Sequence, residues 1–137
     1  MTATITYLGN LRTEATHLAS GSHLTTDAPI DNMGKGEAFS PTDLFATSLG
    51  ACALTIMGIA ANAHDIDMVG TTVAVQKTMS STPPRRVARI DVTFRLPPKP
   101  YSPKARAILE NAARTCPVSL SISPEVVVEF VFEYANL

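Results

Sequence analysis

The most reactive residues available to this sequence are its only two cysteines, Cys52 and Cys116. A thiolate can attack an electrophile, and a second thiol can then close a disulfide on the product. A free thiol has a pKa of about 8.5 and needs a drop of roughly one to two units to be mostly thiolate at neutral pH. Each unit corresponds to about 1.4 kcal/mol. No His or Lys stands one helical turn from Cys52, so a reactive Cys52 must borrow a cation from elsewhere in the fold. A guanidinium at ~4 Å supplies about 4 kcal/mol at an effective dielectric of 20, enough to offset partial burial. The candidate donors are Arg12, Arg85, Arg86, Arg89, Arg95, Arg106 and Arg114.

Cys116 has a different setting. It precedes Pro117 at an apparent helix start, where free N–H groups and the macrodipole favour an anion, and Arg114 lies two residues earlier. Taken singly, each cysteine also fits a small core residue, because free Cys is among the most buried residue types. The two are 64 positions apart, which matches no zinc spacing. His17, His23 and His64 share no ligand spacing either, so no metal site is expected.

The elements that must position the thiols follow from the local pattern. Thr2–Tyr7 alternates and reads as a strand, with Leu8-Gly9-Asn10 as a turn. A second strand is placed over Leu11–Ala19, and Thr25–Gly36 reads as a loop from its Pro, Asp, Asn and Gly content. Ser40 then stands at an N-cap, Pro41 at the first helical position and Asp43 where a capping box has its acid. From Leu44 to Ala63 there is no charged residue. Phe45, Leu49, Cys52, Ile56, Ile59 and Ala63 recur at helical spacing, opposite the small residues Ala46, Gly50, Ala53, Ala60 and Ala61. These faces predict a central helix buried on most sides.

This uncharged run is long enough to consider as a membrane span. Thr47, Ser48, Gly50, Thr55, Gly58 and Asn62 dilute it, and no basic cluster flanks it, so a helix of a soluble domain is expected. Val69–Met79 and Arg86–Leu96 read as long strands joined by the Ser80–Pro84 turn. Lys104–Arg114 reads as a helix capped by Ser102-Pro103, Cys116–Leu120 as a short helical turn, and Glu125–Tyr134 as a final buried strand. The order predicts an α+β domain with a mainly antiparallel sheet, spanning residues 1–137 as one unit.

Composition narrows the function classes. A net charge of −1 with 17% charged residues argues against nucleic-acid binding, which needs a basic surface to displace counterions. Met1–Asn10 lacks a basic stretch followed by an apolar run, so no signal peptide is read and a cytoplasmic location is expected. In that compartment a cysteine pair is more often catalytic or redox-sensing than a structural disulfide.

Two motifs add a resemblance. The run Phe39-Ser40-Pro41-Thr42-Asp43-Leu44-Phe45-Ala46 followed by Leu49-Gly50-Ala51-Cys52 resembles the central helix of the OsmC/Ohr family. Thr115-Cys116-Pro117-Val118-Ser119, with the strand close behind it, resembles that family's second cysteine motif. The resemblance covers nearly the whole chain. It implies an intertwined homodimer that reduces organic hydroperoxides, with Cys52 peroxidatic and Cys116 resolving. It further implies that Arg12 holds the thiolate, itself oriented by a carboxylate near the start of the helix. The family's hydroperoxide reductases carry that acid as Glu directly after the Pro; here Thr42 takes that position and the acid is Asp43. Phe45, Leu49 and Ile56 would line an apolar site for alkyl or lipid peroxides. No bound cofactor is implied; the reductant is an external dithiol, lipoyl-linked in related proteins. Two other readings stay open: an OsmC-like redox protein acting on another thiol substrate, and a stress-associated binding dimer with inert cysteines.

Overall fold

The computed structural model describes all residues, Met1–Leu137, and is an α+β structure with two three-stranded sheets. Its contacts divide the chain into two compact units, Met1–Phe45 and Ala46–Leu137.

The first unit is an antiparallel meander of β1 (Ala3–Gly9), β2 (Arg12–His17) and β3 (His23–Asp27). The β1–β2 turn needs left-handed backbone at Gly9, Asn10 and Leu11, which Gly and Asn accept at little cost. The third strand corrects the sequence reading at its border. Thr25, Thr26 and Asp27 pair with Glu14, Thr13 and Arg12 rather than opening the loop, so the loop begins three residues later than expected, at Ala28. A short 3-10 turn, Ile30–Asn32, lies within it.

The long helix α1 (Pro41–Ala63) begins where the capping pattern places it. In the second unit, β4 (Thr72–Met79) and β5 (Val87–Leu96) form an antiparallel hairpin. The chain then runs through α2 (Pro103–Arg114) and α3 (Pro117–Ser121) before β6 (Val127–Tyr134) returns parallel to β5. A parallel neighbour requires such a crossover. The second sheet is therefore mixed, with β5 in the middle.

The core of this unit gathers Leu49, Ala53 and Met57 of α1, Ile90, Val92 and Phe94 of β5, and Leu109 and Ala113 of α2. Phe94 stacks on Phe132 at 4.7 Å between ring centroids and meets Phe130 edge-on at 5.6 Å. These are the offset and edge-to-face arrangements that aromatic quadrupoles favour.

Two expectations about burial are corrected. First, α1 is not buried on most sides. Its buried residues are Ala46, Leu49, Gly50, Ala53, Met57 and Ala61, while Phe45 and Ile59 are 39% and 61% exposed. The small face goes in because it lets the helix approach β4 closely: a Cβ on Gly50 would lie 2.9 Å from Val75 Cγ2 and 3.2 Å from Val73 Cγ1. By length and composition alone α1 could also cross a bilayer. Second, β6 is an edge strand with only one face covered. Phe130, Phe132 and Tyr134 pack inward, and Val127 and Val131 are about half exposed.

Candidate active site

The start of α1 fixes the register of Cys52. The Ser40 N–H donates to Asp43 Oδ2 at 3.0 Å, and the Asp43 N–H donates to Ser40 Oγ at 3.0 Å. This reciprocal pair is the capping box read from the sequence, with Asp in place of Glu. Eleven residues on from Pro41, Cys52 is half-buried and packs against the core of the second unit.

Cys116 is fully buried in that core. It caps α3, where its Sγ accepts from the Ser119 N–H at 3.4 Å. Cys52 is near enough to act on the titration of Cys116, and both cysteines are free thiols. Burial pushes the Cys116 thiol up, the Ser119 and Val118 N–H groups pull against that, and neighbouring Cys52 adds to the rise. Cys116 therefore rests as a neutral thiol at neutral pH. The structure thus brings together two residues from distant positions in the chain, both in the second unit.

Of the remaining expected residues, Arg12, Asp43 and Phe45 fall in the first unit, and Leu49 and Ile56 in the second. Arg12 makes a two-pronged contact with Asp27, Nε to Oδ1 at 2.7 Å and Nη2 to Oδ2 at 2.8 Å, and Nη2 also donates to Glu37 Oε2 at 3.0 Å. Asp27 is only 1% exposed and also accepts the Glu37 N–H at 3.0 Å. The Arg12 guanidinium holds the Asp27 carboxyl below its usual range, and the two acids raise the arginine in turn. The resemblance implied that the acid near the start of α1 orients Arg12. Here the carboxylates on Arg12 are Asp27 and Glu37, and Asp43 caps the helix. Among the expected apolar lining residues, Phe45 and Ile56 present surface, whereas Leu49 has none and serves as core.

Asp27 and Glu37 were missed from the sequence. The signal was available only through strand pairing, because Asp27 sits directly opposite Arg12 in the β2–β3 register. Two surface grooves of about 730 and 570 Å³ open beside the His64–Val69 connection, and neither cysteine lines them. No group of three or more His, Cys, Asp or Glu gathers as a metal cage.

Comparison with known proteins places the chain in a family. The OsmC-like protein family matches residues 34–131. A protein from Psychrobacter arcticus 273-4, named for osmotic stress induction and a detoxification response, is 47% identical over 96% of this chain and 95% of its own, with a TM-score of 0.91. An organic hydroperoxide resistance protein from Legionella pneumophila shares the fold at 20% identity, with 97% of each chain covered and a TM-score of 0.75. Another from Elizabethkingia anophelis does so at 17% identity over 98% of this chain and 97% of its own, with a TM-score of 0.77. No curated protein sequence matches the chain.

Proposed function

The chain belongs to the OsmC-like protein family, and from that premise we propose that it is a thiol-dependent peroxidase reducing organic hydroperoxides to alcohols. The observation that carries this reading is that the two free thiols share one core, Cys116 buried within it and Cys52 half-buried against it.

The chemistry balances on these two sulfurs and a dithiol. The Cys52 thiolate attacks the distal peroxide oxygen; the O–O bond breaks, the alkoxide leaves and takes a proton, and Cys52 becomes a sulfenic acid. Cys116 then attacks that sulfur, the disulfide forms and water departs. An external dithiol, of the lipoyl type, reduces the disulfide by thiol exchange and is itself oxidised. Arg12 would serve as the cation that stabilises the thiolate and polarises the departing oxygen. Phe45 and Ile56 supply apolar surface suited to an alkyl peroxide. The homodimer that the family resemblance implies is part of this proposal. We place the reaction in the cytoplasm, with no metal, flavin or haem.

The test is turnover of cumene hydroperoxide with dihydrolipoamide as reductant. Wild type is expected to consume peroxide and Cys52→Ser to lose that activity. A Cys52→Ser protein working at the wild-type rate overturns the mechanism. If wild type neither turns over nor forms a disulfide on mild peroxide treatment, the binding dimer with inert cysteines is the correct reading.

A further inference from the structure

We infer that Asp27 is the positioning residue for Arg12 and that Glu37 is a displaceable cover on the same guanidinium. One acid fixes the cation, and the other leaves it when the cation acts. This rests on the peroxidase reading for what Arg12 does. It adds which carboxylates govern Arg12 and the direction in which each acts.

The two acids hold different edges of the guanidinium. An arginine presents its N–H donors as a rigid planar fork, with one edge at Nε and Nη2 and another at Nη1 and Nη2. Asp27 fills the first edge with both oxygens, at 2.7 Å from Nε and 2.8 Å from Nη2. With Asp27 on the Nε side, Glu37 takes the Nη2 hydrogen that faces Nη1, at 3.0 Å. A thiolate or a departing peroxide oxygen that comes to Arg12 must use this second edge. Glu37 stands there and carries the same charge as either.

Burial decides which acid stays. The Asp27 side chain is 2% exposed and that of Glu37 63%. Asp27 lies opposite Arg12 in the β2–β3 register, and its Oδ2 also accepts the Glu37 N–H at 3.0 Å. Its own N–H donates to the Phe39 carbonyl at 3.0 Å. A buried carboxylate held by this many donors cannot turn away without leaving an unpaired charge in the interior. Glu37 is the reverse case. Its backbone is pinned to Asp27 while its carboxylate reaches solvent, and a single exposed ion pair is weak. The side chain can therefore swing off while the loop stays closed. That loop is tightly folded, since a Cβ on Gly34 would collide with the Ala28 carbonyl.

Two readouts on the full chain test this. One is kcat/KM for cumene hydroperoxide. The other is the pH profile of iodoacetamide alkylation at Cys52 in a Cys116→Ser background, which needs no peroxide. Glu37→Gln should raise kcat/KM about two- to fivefold, the range an exposed ion pair commands, and move the alkylation midpoint to lower pH. Asp27→Asn should lower kcat/KM by up to about 10²-fold through misplacement of Arg12, and move the midpoint to higher pH. Removal of negative charge alone predicts the same direction for both variants, so opposite directions identify positioning. Glu37→Gln alters an exposed side chain and carries the test alone if Asp27→Asn does not fold. The inference is overturned if Glu37→Gln loses activity or leaves the midpoint unmoved, or if both variants shift the same way. If wild type consumes no hydroperoxide, the peroxidase reading fails, and the alkylation profiles still decide the roles of the two acids.

Discussion

Replacing Gly50 by alanine tests how closely α1 is seated, and hence how Cys52 is held. Alanine is the better helix former by about 0.8–1 kcal/mol, so propensity alone predicts stabilisation. The new methyl would stand 2.9 Å from Val75 Cγ2 and 3.2 Å from Val73 Cγ1. Carbon pairs are comfortable at about 3.5–4.0 Å, so α1 or β4 must move by a few tenths of an ångström or more. Valine cannot yield easily, since its branched carbon leaves few χ1 choices. Overpacking of this kind costs about 1–3 kcal/mol, leaving a net loss of about 1 kcal/mol after the propensity gain. For a chain of this size that lowers Tm by about 3–4 °C. Gly58→Ala is the matched control, because a Cβ there meets nothing within 4 Å. It should raise Tm by about 2–4 °C through the same propensity gain. Differential scanning calorimetry on the reduced proteins reads both. Combining Gly50→Ala with Val75→Ala should recover at least about 0.5 kcal/mol relative to the sum of the single changes. A Gly50→Ala protein as stable as Gly58→Ala refutes the close-packing argument.

Other expected outcomes concern the thiols and the arginine clamp. Cys116→Ser should complete one or a few turnovers and then stall with Cys52 overoxidised to sulfinic acid, visible by mass spectrometry. Because burial raises Cys116, its thiolate fraction climbs about tenfold per pH unit below its pKa. Disulfide closure followed by acid-quenched alkylation should therefore accelerate from pH 6 to 8, and a flat profile would contradict Cys116 as the attacking thiol. Tyr134 is pushed up to about 12 by burial and by neighbouring Glu110. Raised values in the folded state contribute stability that is complete below the unfolded values and is lost as pH rises through the folded ones. Urea midpoints should thus fall on going from pH 9 toward 12, and less steeply in Tyr134→Phe. Arg12→Lys cannot reproduce the two-pronged contact with Asp27. A misplaced cation of this kind should reduce kcat/KM for cumene hydroperoxide by up to about 10²-fold.

The sequence was most informative where side chains act on their own backbone. Ser40, Pro41 and Asp43 marked the start of α1, and Ser102 with Pro103 marked that of α2, because caps are local chemistry. Cys116-Pro117 was read correctly as a helix start for the same reason. The burial of α1 was misjudged. Nearly every residue from Leu44 to Ala63 is apolar or small, so hydropathy cannot rank its faces; shape does, and the Gly50 side fits against Val73 and Val75. The final strand misled in a similar way. Its run of apolar residues suggested full burial, yet Glu129 and Glu133 alternate with Phe130, Phe132 and Tyr134, and that alternation is the signature of a one-sided edge strand. The Arg12 clamp was hidden because it depends on a strand pairing that a loop-like composition masked.

In the proposed mechanism, the contrast between the two cysteines would protect the pair through repeated oxidation. A peroxide can reach half-buried Cys52, whereas Cys116 offers no surface. Cys116 is also held protonated at neutral pH by the same burial. Both effects slow its direct oxidation, since reactivity follows thiolate character and exposure together. Neither effect prevents it from attacking a sulfenic acid on Cys52, because Cys52 packs against the same core and high effective concentration offsets a small thiolate fraction. The N–H groups of Val118 and Ser119 at the sulfur moderate the cost of forming that thiolate. Burial that looks like a structural role in Cys116 alone is, beside Cys52, what an intramolecular resolving thiol requires. Hydrogen peroxide added to Cys52→Ser should leave Cys116 unoxidised far longer than it leaves Cys52 in Cys116→Ser. Equal oxidation rates in the two variants would remove the protective role assigned to burial.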